Sequence, residues 1–135
     1  MVNRSNPDER LLEAWMEGGD GAVSISRNVD RMLDAVRRDL DMDVAFVSEF
    51  NGRDRVFRHV ASRVDPSPIR PGDSSPLEEG YCMRVVEGHI PQLIPDTASV
   101  PMLRHIPETR AMPIGAHLSV PIQLRDGRVY GTFCC

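Results

Sequence analysis

Proline divides this chain into two unequal regimes. Only Pro7 falls within the first 65 residues, and the other ten prolines lie between Pro66 and Pro121. Proline has no backbone N–H and clashes with the preceding helical turn, so long regular elements belong to the first half. The middle must be built from short elements joined by loops. In the first half, Asp8 to Glu17 reads as a short helix with Leu11, Leu12, Trp15 and Met16 at helical spacing, ended by Gly18, Gly19 and Gly21. A second helix is expected from a cap at Ser24 or Ser26 to about Asp41. Its apolar stripe is Ile25, Val29, Met32, Leu33, Val36 and Leu40, and Arg27, Asp30, Arg31, Asp34, Arg37 and Arg38 form a solvated face.

The rest of the chain reads as strands on either side of that loop region. Val44 to Phe50 alternates and is β-rich, Asn51-Gly52 predicts a tight hairpin turn, and Val56 to Ala61 returns as its partner. Asp65 to Pro76 carries four prolines and reads as an irregular loop. Glu78 to Glu87 is expected as a helix stopped by Gly88, Leu93-Ile94 as a brief strand, and Thr97 to Pro113 as loop with a helical turn or two. Gly115 to Leu124 and Val129 to Cys135 form a second hairpin around Arg125–Arg128. The chain stops inside that last strand, at Phe133-Cys134-Cys135, so it reads as a fragment of a longer protein.

Composition excludes several classes of function. With 135 residues, 41% hydrophobic and 27% charged, the chain suits one globular domain. Sixteen basic against 20 acidic residues give a net charge of −4, which opposes nonspecific nucleic-acid binding. Every basic residue is arginine, so no Schiff-base or phosphate-loop lysine exists. No apolar run approaches the ~20 residues that span a bilayer. Met1 to Arg10 is polar, so a cytoplasmic chain is expected. Cys82, Cys134 and Cys135 are odd in number, fit a reducing compartment, and read as buried small hydrophobes.

The order of elements, with three local patterns, resembles the GAF family of sensory domains. Gly80-Tyr81-Cys82 through Glu87-Gly88-His89-Ile90-Pro91 to Pro95-Asp96 is similar to that family's helix, glycine and strand ending in aspartate. Gly115 to Ile122 is similar to its strand ending in Val-Pro-Ile, and Asp126-Gly127 with Val129-Tyr130-Gly131 to its last hairpin. The resemblance implies an α+β fold, an antiparallel sheet flanked by helices on both sides. It also implies a small-molecule pocket, dimerisation through N- and C-terminal helices, and control of an output domain in the same bacterial chain, a kinase or cyclic-dinucleotide enzyme. The apolar stripe Leu11, Leu12, Trp15 and Met16, which precedes the GAF-like core, predicts a homodimer through the N-terminal helices. Residues 1–23 would be a helical extension, and residues 24–135 a GAF-like domain lacking its final strand end and C-terminal helix.

The strand at Gly115 carries the candidate site. With period two, Leu118, Val120 and Ile122 share a core face, while His117 and Ser119 share the other, toward water or a pocket. The resemblance favours the pocket. It would be roofed by Cys82 and Val85 or Val86 of the helix, and by Met102 or Leu103 with His105 of the loop. Such a lining suits a small, partly polar or anionic ligand, with binding that depends on pH near the ordinary histidine value of about 6.5. The ligand itself is not named by the sequence.

Other chemistries are poorly served. Bilin-binding relatives attach the chromophore through a Cys-His pair twelve residues before the strand's alanine; here Arg104-His105 stands there, so the thioether sulfur is missing. The cyclic-nucleotide signature of the family needs a lysine. No cysteine or histidine pair has metal-ligand spacing, and nothing selects a haem ligand among the histidines. Asp96 is expected to cap a turn rather than act as a base. No catalytic role is expected. Two alternatives remain, a ligand-free dimerisation module and a thiol-based free-methionine-sulfoxide reductase using Cys82, for which no nearby second cysteine is evident.

Overall fold

The computed structural model describes residues 20–135. The expected helix at residues 8–17, with Leu11, Leu12, Trp15 and Met16, lies outside them. Helix α1 spans Asp20–Asp39, running straight through Gly21, so Ser24 and Ser26 lie inside the helix instead of capping it. Leu33 is fully buried, and Val29 and Val36 pack beside it. Burying one leucine side chain contributes about 2 kcal/mol. Met32 and Leu40, assigned to the same stripe, stay about half exposed. Conversely, Arg37 leaves the solvated face. It is buried, donating to Asp34 Oδ1 at 2.9 Å and to the Met42 carbonyl at 3.2 Å.

Strands β1 (Val44–Asn51) and β2 (Asp54–Ser62) form the expected hairpin. Its turn is Gly52–Arg53, one residue later than expected, because Asn51 still pairs with Asp54. Gly52 takes a φ of 63°, which costs glycine little. The proline-rich loop is less irregular than expected: Ser74–Pro76 forms a short β3 on the edge of β2, a position where proline is tolerated. The single helix expected over Glu78–Glu87 is two pieces, a 3₁₀ turn at Leu77–Glu79 and α2 at Cys82–Val86, with extended Gly80 between them. Strand β4 is Leu93–Ile94. Two 3₁₀ turns follow, Thr97–Ser99 and Pro101–His105, and then α3 at Pro107–Ala111. Asp96 caps the first of these turns, its Oδ1 accepting from the Ala98 N–H at 3.0 Å, as the sequence suggests. Strands β5 (His117–Gln123) and β6 (Val129–Cys134) complete the fold.

The six strands form one antiparallel sheet in the order β3-β2-β1-β6-β5-β4. The latest strand in sequence, β6, is thus central. On one face α1 covers Ala45, Val47, Tyr130 and Cys135. On the other lie Phe46, Phe57, Ile69, Cys82 and Cys134. Beside these, α2, β4 and the 3₁₀ turns close over Tyr81, Val85, Ile90, Ile94, Leu103 and Ile106. A bulge sets which β2 side chains meet which face. Val47 pairs with His59 but Ser48 pairs with Phe57, so Arg58 is the extra residue. Phe57 therefore faces the cavity side, while His59 faces α1 and bonds Asp30 Oδ1 through Nδ1 at 2.8 Å.

Candidate functional site

Strand β5 begins the site. Its alternation is as expected at four positions: Leu118 and Ile122 pack against the α1 cluster, and His117 and Ser119 point to the other face, both buried. Val120, expected in the core, is 41% exposed. His117 sits at the wall of a cavity of about 400 Å³. The apolar part of that wall comes from Val44 and Phe46 of β1, Ile69 of the loop before β3, and Met112 and Ile114 of the segment after α3. Asp41 and Asp43 also line it, and both are paired with Arg63, at 2.8 and 2.5 Å.

The His117 ring is 95% buried and packs edge-to-face against Tyr81, with centroids 4.8 Å apart. Its Nδ1 has no hydrogen-bond partner. Burial pushes its pKa down to about 4; nearby Glu108 opposes the shift and Arg55 adds to it. The imidazole is therefore neutral near pH 7, and the expected titration of binding near 6.5 does not apply to it. An unpartnered buried polar atom costs about 1–3 kcal/mol. That cost falls away when a ligand supplies the missing bond.

A second cavity of about 420 Å³ adjoins the first, and Pro68, Ile69, Glu108 and Met112 line both. Its polar wall centres on Arg55. This guanidinium bonds Glu108 Oε1 at 3.0 Å, Ser75 Oγ at 3.1 Å and Cys82 Sγ at 3.0 Å. Its plane lies against Phe57, 4.7 Å from the ring centroid. Burial works against the Arg55 charge, but Cys82 and Glu108 outweigh it and raise its pKa. Glu108 also accepts from the Tyr81 N–H at 2.8 Å, tying α3 to the start of α2. Gly80 is the residue that permits this approach, since a Cβ there would stand 3.0 Å from both Arg55 Nη1 and Glu108 Oε2.

The residues assigned to the pocket from sequence are thus dispersed. His117 lines the first cavity. Ser119 is buried beside it in sequence, but its Oγ contacts Cys134 Sγ at 3.2 Å. Cys82 lies behind Arg55, and Val85 belongs to the cluster under α2. Val86 is half-buried, while Met102 and His105 are exposed, as is Arg104 at the bilin-attachment position. The cavity wall around His117 comes from the loop before β3 and the segment after α3, and no residue of α2 lines it, although Tyr81, just before α2, packs on the His117 ring. Sequence reading missed Arg55, Glu108, Tyr81 and Cys134. Arg55 carried a usable signal: it is in phase with buried Phe57 on β2, a position that should be apolar. Contrary to the sequence expectation, Cys82 has a second cysteine nearby, with Cys134 Sγ 3.4 Å away. The fold brings together residues 52 positions apart, which spacing cannot reveal. Among the described residues there is no cluster able to hold a metal ion and no helix long and apolar enough to cross a membrane.

An antiparallel sheet covered by one long helix on one face and by loops and short helices on the other, with a cavity of about 400 Å³ at that second face, defines an α+β domain. The GAF domain family model matches residues 22–135, and the chain belongs to that family. No curated protein is similar to it in sequence. Solved structures share the fold. The GAF domain of an Acinetobacter phosphoenolpyruvate-protein phosphotransferase is 16% identical with a TM-score of 0.60, covering 93% of this chain and 71% of that one. A phycocyanobilin-bound GAF domain of a cyanobacterial phytochrome is 14% identical with a TM-score of 0.62, covering 96% and 79%. Staphylococcus aureus NreA, mutated in its nitrate binding site, is 16% identical with a TM-score of 0.56, covering 84% and 85%.

Proposed function

We propose that this GAF domain is a non-enzymatic, cytoplasmic sensory module. It takes a small molecule into the His117 cavity and passes its occupancy to an output domain of the same bacterial chain. The observation that carries this reading is the unpartnered Nδ1 of a buried, neutral imidazole at the wall of a cavity of about 400 Å³. Pockets of that size hold small organic ligands, with few polar groups fixing orientation. The charge pattern narrows the chemistry. His117 is neutral, Arg55 is compensated by Glu108, and two aspartates stand in the wall. A neutral molecule with an apolar body and one hydrogen-bonding group therefore fits better than an anion such as nitrate.

A metabolite-library thermal-shift screen tests the reading, run in parallel on the wild type and His117→Leu. Ligands should stabilise the wild type, by about 2.7 kcal/mol at a hundredfold excess over Kd, and stabilise the variant much less. Ligands that stabilise both equally would place binding elsewhere. Dimerisation through Leu11, Leu12, Trp15 and Met16 belongs to the same proposal. Removing residues 1–19 is expected to yield a monomer by light scattering, whereas a persisting dimer would refute that assembly.

A further inference from the structure

Behind the second cavity lie two thiols that ligand sensing does not use. Cys82 opens α2, Cys134 closes β6, and both are buried with their sulfurs 3.4 Å apart. Four groups face Cys82: Arg55 from β2, Glu108 from α3, and Cys134 and Thr132 from β6. Arg55 Nη1 is in direct contact, at 3.0 Å. Hydrogen bonding from Cys134, together with the Arg55 charge, holds the Cys82 thiol below its ordinary range against the opposing effect of burial. Burial pushes Cys134 the other way. The two sulfurs are therefore unequal: the guanidinium touches Cys82 and favours its thiolate, while burial favours the protonated form of Cys134. Cys135 sits on the opposite sheet face, within the α1 cluster, and burial raises its pKa.

We propose that Cys82 and Cys134, beside Arg55, form a redox pair that hydrogen peroxide closes into a disulfide between α2 and the central strand. The Cys82 sulfur attacks one peroxide oxygen. An S–O bond forms, the O–O bond breaks, and the departing hydroxide takes up the proton that the Cys82 thiol gives up, leaving a sulfenic acid and one water. The Cys134 sulfur then attacks the Cys82 sulfur. The S–S bond forms, the S–O bond breaks, and hydroxide leaves with the Cys134 proton as a second water. Two thiols have lost two electrons and two protons, and one peroxide has become two waters. Access selects the oxidant. Arg55 and Glu108 line the second cavity, so a molecule near the size of water reaches the guanidinium that touches Cys82. Cys82 itself is 1% exposed and lines neither cavity, so a molecule as bulky as oxidised glutathione is kept from its sulfur.

The test is peptide mass mapping of the whole reduced chain after hydrogen peroxide, quenched in denaturant with an alkylating agent. A Cys82–Cys134 linked peptide is expected, two hydrogen masses below the sum of its parts, with Cys135 alkylated. In Cys134→Ser the reaction should stop at a Cys82 sulfenic acid that dimedone traps. Arg55→Met should slow oxidation measurably, because it removes the cation that touches Cys82. Should that variant not fold, the wild-type rate against pH carries the same information, with its inflection expected below the ordinary thiol value of about 8.5. Alkylation of Cys82 and Cys134 after peroxide, oxidation of Cys135 first, an inflection at the ordinary thiol value, or a glutathione adduct on Cys82 would each overturn the proposal.

Discussion

At the scale of single residues, His117 and the Arg55–Glu108 pair dominate. The folded-state pKa of His117 is lowered to about 4 from an ordinary 6.5, so the unfolded chain binds the proton more readily. Stability from this group is complete above pH 6.5 and is lost as pH falls through that window toward 4. The shift corresponds to about 3 kcal/mol. Urea denaturation of the wild type and His117→Leu at pH 7 and pH 4.5 should show the variant losing less stability on acidification. Parallel losses would mean that His117 is solvated. Glu108→Ala should cost about 3–5 kcal/mol, because it strips a buried guanidinium of its carboxylate. Denaturant midpoints measure it, and a loss under 1 kcal/mol would show that the ion pair contributes little beyond its exposed equivalents.

Elements depend on how closely backbones approach. At Gly131 of β6 a Cβ would stand 1.8 Å from the Ser48 carbonyl oxygen of β1, an approach no relaxation of a side chain relieves. Gly131→Ala is therefore expected to abolish cooperative folding in circular-dichroism melts, while Gly127→Ala, in an open turn, should leave the melt cooperative. The Val129-Tyr130-Gly131 pattern was legible in the sequence, but its cause was not, because Ser48 lies on another hairpin. The same limit separates what was readable from what was not across the fold. Alternation and turn residues located β1, β2, β5 and β6. The break at Gly80 escaped, since it is imposed by Arg55 and Glu108 from distant elements. So did the Arg58 bulge, which turns Phe57 and His59 to opposite faces although they stand two residues apart. Of the candidate site, β5 alternation placed His117 and Ser119 on one face. The loops 63–73 and 112–116 that help wall the cavity were not legible, because they carry no periodicity.

For the molecule as a whole, the sheet order explains why the site is composite. Central β6 brings Cys134 against α2, β5 brings His117 beneath Tyr81, and β2 brings Arg55 to Glu108. Two cavities then share four wall residues, so a ligand at His117 abuts the wall that holds Arg55. The proposed ligand sensing rests on His117 being buried, neutral and unpartnered at that wall. Histidine-selective NMR across pH 3.5 to 8 measures this directly. The His117 ring should stay neutral until pH approaches about 4. A His117 titration near the ordinary histidine value of about 6.5 would contradict the site described here.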